Sequence, residues 1–184
     1  MVQRFVLTGA PGSGKTALLR ALHQRGLAVV AEAATDVIGA EQAAGIDAPW
    51  ERDGFIDDVV AMQRSRQLAP VAAHVSVQVF DRSPLCTLAL ARYLDRPVTG
   101  PLAAEVARVV REQVYQPVVF LVRPLGFVER TAARRICYAD SLAFEVEHQR
   151  AYREHGFTLI DVPPAPVWRR AAVVERYLIA GAGQ

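Results

Sequence analysis

Near its start the chain runs Gly9-Ala10-Pro11-Gly12-Ser13-Gly14-Lys15-Thr16, directly after the short apolar run Arg4-Phe5-Val6-Leu7-Thr8. The eight residues fit G-x-x-x-x-G-K-[ST] at every defined position. Such a loop restricts the fold sharply, because it works only where a strand leads into it and a helix leads out. Its glycines admit backbone conformations closed to other residues, so several N–H groups can converge on phosphate oxygens. The helix that follows turns its positive N-terminus to the same anion. Lys15 would reach the β- and γ-phosphates, and Thr16 would offer a hydroxyl to Mg2+. Gly9, Ala10, Pro11, Gly12, Ser13, Gly14, Lys15 and Thr16 are therefore the expected nucleotide-binding residues. ATP and Mg2+ are the expected cofactors.

Basic composition reinforces this reading. Of the 21 lysines and arginines, Lys15 is the only lysine. It stands where a compact ammonium has to reach two phosphates, a task the planar arginine fork performs less well. A guanine-recognition motif of the Asn-Lys-x-Asp type would need a second lysine, so ATP is favoured over GTP.

Beyond the loop, short apolar strands alternate with helical patterns. Thr16–Leu22 has helical spacing and ends at Gly26, and Leu27–Ala31 reads as a second strand. Helical stretches are expected from Glu32 to about Ala44 and from Gly54 to about Leu68, joined by a connection around Pro49 and Trp50. Ser76–Phe80 alternates as a third strand, and Pro84 suits the first turn of a helix reaching Leu94. Leu102–Val114 is an amphipathic helix, Val118–Val122 a wholly apolar strand, and Ser141–His155 a polar helix. Phe157–Val162 is the last strand, with a closing helix over Val167–Ala180. The alternation indicates an α/β fold whose parallel sheet is covered by helices on both faces. No linker or repeat interrupts it, so residues 1–184 are expected to be one domain.

Three polar groups add chemistry to the loop. Asp81-Arg82-Ser83 follows the third strand, at the strand end where ligands collect in open α/β sheets. There Asp81 could hold Mg2+ through water or take a proton from an attacking hydroxyl, and Arg82 could hold an acceptor or a transferring phosphoryl. The alternative for Asp81 is a cap on the next helix, with Arg82 as its salt partner. Glu32 follows the second strand and is the other candidate base, or else a favourable charge at a helix N-terminus. Arg130, Arg134 and Arg135 cluster in an arginine-rich segment of about 123–140. They suit a lid that stabilises charge on the transferring phosphoryl and excludes water. Arg64, Arg66, Trp50, Phe55 and Tyr138 carry weaker signals, and the four histidines form no metal or triad pattern.

Taken together, the strand–loop–helix at Gly9–Thr16, the Glu32-Ala33-Ala34 step and Asp81-Arg82-Ser83 resemble the P-loop kinase-like division of NTPases. The resemblance extends over almost the whole chain, including Tyr152, Gly156-Phe157 and Asp161-Val162-Pro163. It lies with the small bacterial ATPase domains called "AAA domain" proteins, with the ribosylnicotinamide kinase domain and deoxynucleoside kinases as relatives. The resemblance implies a three-layer α/β/α P-loop NTPase sandwich. Its sheet would be five-stranded and parallel, in the order 2-3-1-4-5, with an arginine lid after the fourth strand. It also implies a base at Glu32 and an acidic-Arg-Ser step at Asp81 and Arg82. No run of acidic pairs follows an apolar strand and no C-terminal helical lid domain is seen, so ring-forming mechanical work is not expected.

The expected activity is Mg2+-dependent transfer of the ATP γ-phosphoryl to a small hydroxyl-bearing acceptor, nucleoside-like or another small metabolite. The alternative is an ATPase or nucleotide-dependent switch acting on a protein partner. A net charge of +2 gives no bias towards nucleic acid or anionic membranes as partners. Two cysteines without metal-ligand spacing read as free thiols, and no signal peptide or membrane span is seen. A cytoplasmic protein is the expectation.

Overall fold

The computed structural model describes residues 2–126 and 137–181. Among them, β1 (Gln3–Thr8), β2 (Ala28–Val30), β3 (Val77–Asp81), β4 (Val118–Val122) and β5 (Thr158–Val162) form one sheet in the order β2-β3-β1-β4-β5. Every pairing is parallel. The fold class and the strand order implied by the resemblance therefore hold.

Alternation along β1 divides the protein into layers. Phe5 and Leu7 face one side, where they meet Leu18 and Leu22 of α1 (Lys15–Gln24) and Val174 and Leu178 of α7 (Val167–Gly181). Val6 faces the other side, against Leu85 of α4 (Pro84–Tyr93), Val109 of α5 (Gly100–Arg111) and Tyr152 of α6 (Tyr138–Glu154). Beyond this second layer α2 (Ala33–Ala43) and α3 (Phe55–Leu68) join α4, α5 and α6 around a separate apolar cluster. β4 is buried over its last four residues, as its wholly apolar sequence requires.

The chain leaves β1 for β2 and β3 on one side, then crosses to β4 and β5 on the other. The order thus reverses at the carboxyl end of β1, the position where open α/β sheets bind ligands. Register places Leu7 beside Asp81 and Thr8 beside Leu121, so the ends of β1, β3 and β4 converge there.

Element ends differ from the sequence reading by a few residues, for local reasons. β3 runs one residue further than expected and takes in Asp81. α5 begins at Gly100 because the Thr99 hydroxyl caps it, accepting from the Leu102 N–H at 3.3 Å, with Pro101 in the first turn. It ends at Arg111 rather than Val114, as Gln113 turns to a φ of +48°. α6 begins three residues early at Tyr138, where the Cys137 thiol accepts from the Asp140 N–H. Among the described residues no helix is long and apolar enough to cross a membrane.

Candidate functional site

The loop between β1 and α1 is held by sterics at its first glycine. Gly9 has a φ of +128°, and a Cβ there would lie 2.5 Å from the Val122 carbonyl oxygen at the end of β4. Only glycine lets the chain leave β1 this close to its neighbour. Gly14, with a φ of +80°, is the last residue before α1 and directs the chain into that helix.

Lys15 is 6% exposed, and its Nζ donates to Gly9 O at 2.9 Å, Ala10 O at 2.8 Å and Ser13 Oγ at 3.2 Å. These three acceptors match the three protons of an ammonium. Burial, with the Arg82 guanidinium nearby, lowers the Lys15 pKa to about 7, while Asp81 and Glu32 oppose the fall. A positive charge thus lies at the mouth of the loop, close to balance with its neutral form. Thr16, the residue after it, is exposed.

Across the sheet edge, Asp81 ends β3 and is 5% exposed. The next residue, Arg82, has a φ of +75°, a left-handed backbone that costs a non-glycine residue about 1–3 kcal/mol. Its own N–H, donating to Leu7 O at 3.0 Å, and its guanidinium hold it there. Arg82 Nε donates to Glu32 Oε1 and Nη1 to His148 Nε2, the second at 2.6 Å. An arginine only donates, so His148 Nε2 must accept; Nδ1 then carries the proton and donates to Phe144 O at 2.8 Å. Burial, with Arg82 beside it, holds the His148 pKa well below 6.5, so the ring is neutral.

Glu32 is engaged through both oxygens, the second accepting from Thr35 Oγ1 at 2.8 Å. Burial would raise its pKa, but Arg82, Lys15 and the Thr35 hydroxyl outweigh it and keep the carboxylate ionised below its usual range. Arg82 thus pairs with Glu32, and the nearby Asp81 also favours its charge. Ser83, the residue before α4, makes no side-chain cap bond; its hydroxyl lies 2.7 Å from Tyr152 Oη.

Part of the loop and the Asp81, Arg82 and Glu32 side chains line one cavity of about 670 Å³. Pro11, Gly12, Gly14, Lys15 and Thr16 line its polar end, with Asp81, Arg82 and Glu32 beside them. The far end is lined by Ile38, Trp50, Phe55, Val59, Leu90, Tyr93 and Phe144. Tyr93 and Phe144 stack there with centroids 4.8 Å apart. Polar groups on this wall include Asp140, Gln63 and Thr87, whose Oγ1 donates to Gln63 Oε1 at 3.0 Å. Of the weaker candidates, Trp50 and Phe55 line this chamber whereas Tyr138 does not. Arg64 pairs with Glu105 and Arg66 with Asp36, and neither lines the cavity. Arg130, Arg134 and Arg135 lie outside the described residues.

Sequence reasoning missed His148. It lies one turn from both Phe144 and Tyr152 on α6, so the three share a face. That spacing indicates an inward stripe, but nothing local in it points to Arg82.

No group of three His, Cys, Asp or Glu side chains could hold a metal among the described residues. Mg2+ at this edge would draw on the Thr16 hydroxyl and the Asp81 carboxylate, with phosphate oxygens and water completing its shell.

The profile of the family described as "AAA domain" matches residues 4–170. The chain belongs to this AAA domain family. No curated protein sequence is significantly similar to it. Solved structures share its fold at low identity. A NadR protein in complex with NAD and AMP-PNP superposes with a TM-score of 0.66 at 15% identity, over 95% of this chain and 48% of its own. The AAA domain chain therefore spans about half the length of that protein. Deoxyadenosine kinase from M. mycoides with bound dCTP gives 0.66 at 12% identity, covering 97% of this chain and all of its own. Shikimate kinase from Acinetobacter baumannii in complex with shikimate gives 0.56 at 14% identity, over 98% and 95%. The AAA domain chain has the fold of these P-loop kinases.

Proposed function

We propose that this protein is a Mg2+-dependent phosphotransferase that moves the γ-phosphoryl of ATP to a hydroxyl of a small, uncharged acceptor. The observation that carries the reading is a cavity that joins the phosphate loop, past the Glu32–Arg82 pair, to an aromatic-lined chamber where a second small molecule would sit. The kinase fold of the neighbours supports it.

Phosphoryl transfer is mostly positioning and charge stabilisation. The loop amides and Lys15 would hold the triphosphate; bound ATP supplies the phosphoryl group and Mg2+ offsets its charge. Asp81, with Thr16, is assigned to the metal side. Glu32 is assigned to the acceptor hydroxyl, where its ionised carboxylate accepts the hydrogen bond and aims the oxygen. A carboxylate held below its usual pKa orients a hydroxyl better than it removes the proton early, and a loose transition state asks for little more. Arg82 fixes Glu32 from below and is itself fixed by His148. Arg130, Arg134 and Arg135 are proposed to cover the transferring phosphoryl.

The chamber argues for a neutral acceptor. Among the described residues the cations lining the cavity are Lys15 and Arg82, and Arg82 is already paired with Glu32. An anionic acceptor would find aromatic walls and the carboxylates of Glu32, Asp81 and Asp140. ADP release from Mg·ATP, measured against a panel of nucleosides, sugars, alcohols and their carboxylated or phosphorylated counterparts, tests this. Stimulation by a neutral member is expected; release indifferent to every acceptor would shift the reading to a nucleotide-dependent switch.

The Lys15 charge gives a pH signature. Its folded pKa of about 7 lies below the 10.5 of a lysine in the unfolded chain, so between these values the unfolded chain binds a proton that the folded chain lacks. Stability of the unliganded protein should therefore rise with pH across that window. A bound polyphosphate favours the ammonium, so nucleotide binding at pH 8 should take up about one proton and weaken as pH rises further. Binding enthalpies compared in buffers of different ionisation enthalpy measure the uptake. No uptake would mean that Lys15 is already fully charged.

A further inference from the structure

Arg170, the fourth residue of α7, is 3% exposed and packs against the phosphate loop from the side opposite β3. Its Nη1 lies 2.9 Å from the point where a Gly14 side chain would begin, so the absence of that side chain is what lets the guanidinium approach. Nη2 donates to Arg123 O at 3.2 Å. Nε is buried and has no hydrogen-bond partner among the described residues. No carboxylate of the described residues lies within ion-pair range, and burial lowers the pKa of the group with nothing opposing it.

The contrast with Arg123 is sharp, because Arg123 is clamped between Glu145 and Asp161. A buried cation without an anion is costly, and such groups persist where an anion arrives from outside. Arg170 lies against Gly14 of a loop that is built to receive one.

We propose that Arg170 is a second fixed cation of the phosphate site, whose counter-ion is the polyphosphate of the nucleotide held by Gly12–Thr16. Lys15 serves that chain of phosphates from within the loop, and Arg170 serves it from the α7 side past Gly14. A guanidinium here also suits two phosphate oxygens at once, which an ammonium does not. The assignment rests on the reading of the loop as a nucleotide site.

The alternative is a strut, in which Arg170 only ties α7 to the end of β4 through Arg123 O. Arg170→Met keeps the volume and removes the charge, and the two roles move two measurements in opposite directions. As a counter-ion, its loss should lower calorimetric affinity for ATP and ADP about 10- to 100-fold, the range of a hydrogen bond to a charged group. Thermal unfolding without nucleotide should stay where it is or move upward, because a buried charge with no acidic partner among the described residues has gone. Affinity within about twofold of wild type overturns the assignment, whatever the unfolding temperature does. If affinity and unfolding temperature both fall, Arg170→Lys decides: partial recovery of affinity by the restored charge supports the assignment, and no recovery overturns it. Binding lost in Lys15→Ala but kept in Arg170→Met removes Arg170 alone. Failure of the wild-type protein to bind ATP removes the nucleotide site and this assignment together.

Discussion

Lys15→Ala is expected to lower the affinity for ATP at least about a hundredfold and to end acceptor-dependent turnover. The ammonium is the charge buried at the loop itself, and it is the one that the loop motif assigns to the β- and γ-phosphates. Folding should suffer little. The substitution relieves the burial of a charge, which offsets the loss of a donor to Gly9 O and Ala10 O. Titration calorimetry and thermal unfolding on the same preparation separate the two effects. A variant that still binds ATP within a few-fold of wild type would show that this loop is not the nucleotide site.

Glu32→Gln should act on a different step. Substrate positions are nearly preserved by the isosteric amide, but the acceptor hydroxyl loses an ionised partner. Acceptor-stimulated ADP release should fall by about 10²-fold, the cost of a reacting oxygen that is no longer aimed. Slow release without acceptor should change little, and ATP affinity should be unchanged within a few-fold. A structural cost accompanies this. Arg82, whose side chain is 11% exposed, would keep His148 as a partner and lose its anion. Leaving such a group poorly satisfied costs about 1–3 kcal/mol, reduced by the partial exposure of Glu32. For a chain of this length that is a fall in Tm of several degrees. Turnover with the best acceptor that is unmoved by Glu32→Gln would sink the phosphotransferase reading, because no other ionised carboxylate has been assigned to the acceptor side.

Much of the fold was legible because its signals are local. β1 and β4 are short apolar runs, Pro84 marks a helix start, and the loop of Gly9–Thr16 announces the strand before it and the helix after it. The few-residue errors arose where a side chain reached back to a backbone group, as Thr99 does for α5, or where one residue turned to a positive φ, as Gln113 does. Strand order was legible only through the resemblance, since periodicity says that a strand is buried but not beside which other strand. The candidate residues at strand ends could be placed for a related reason. In a parallel sheet every strand ends at the same edge, so Glu32, Asp81 and Arg82 had to gather near the loop.

What the sequence determined by itself, then, is the phosphate loop, the α/β alternation and the set of strand-end carboxylates, because each is written in neighbouring residues. The tertiary structure alone decided the partners. It gave Arg82 to Glu32 and His148 across 50 and 66 residues, and left Arg170 beside Gly14 without an acidic partner among the described residues. It also closed Trp50, Phe55, Tyr93 and Phe144 into one chamber. Helix phase shows which face is buried, but which buried side chains meet depends on how α2, α3, α4, α6 and α7 are docked on the sheet. That docking is set by packing of the whole core at once, and no window of the sequence contains it.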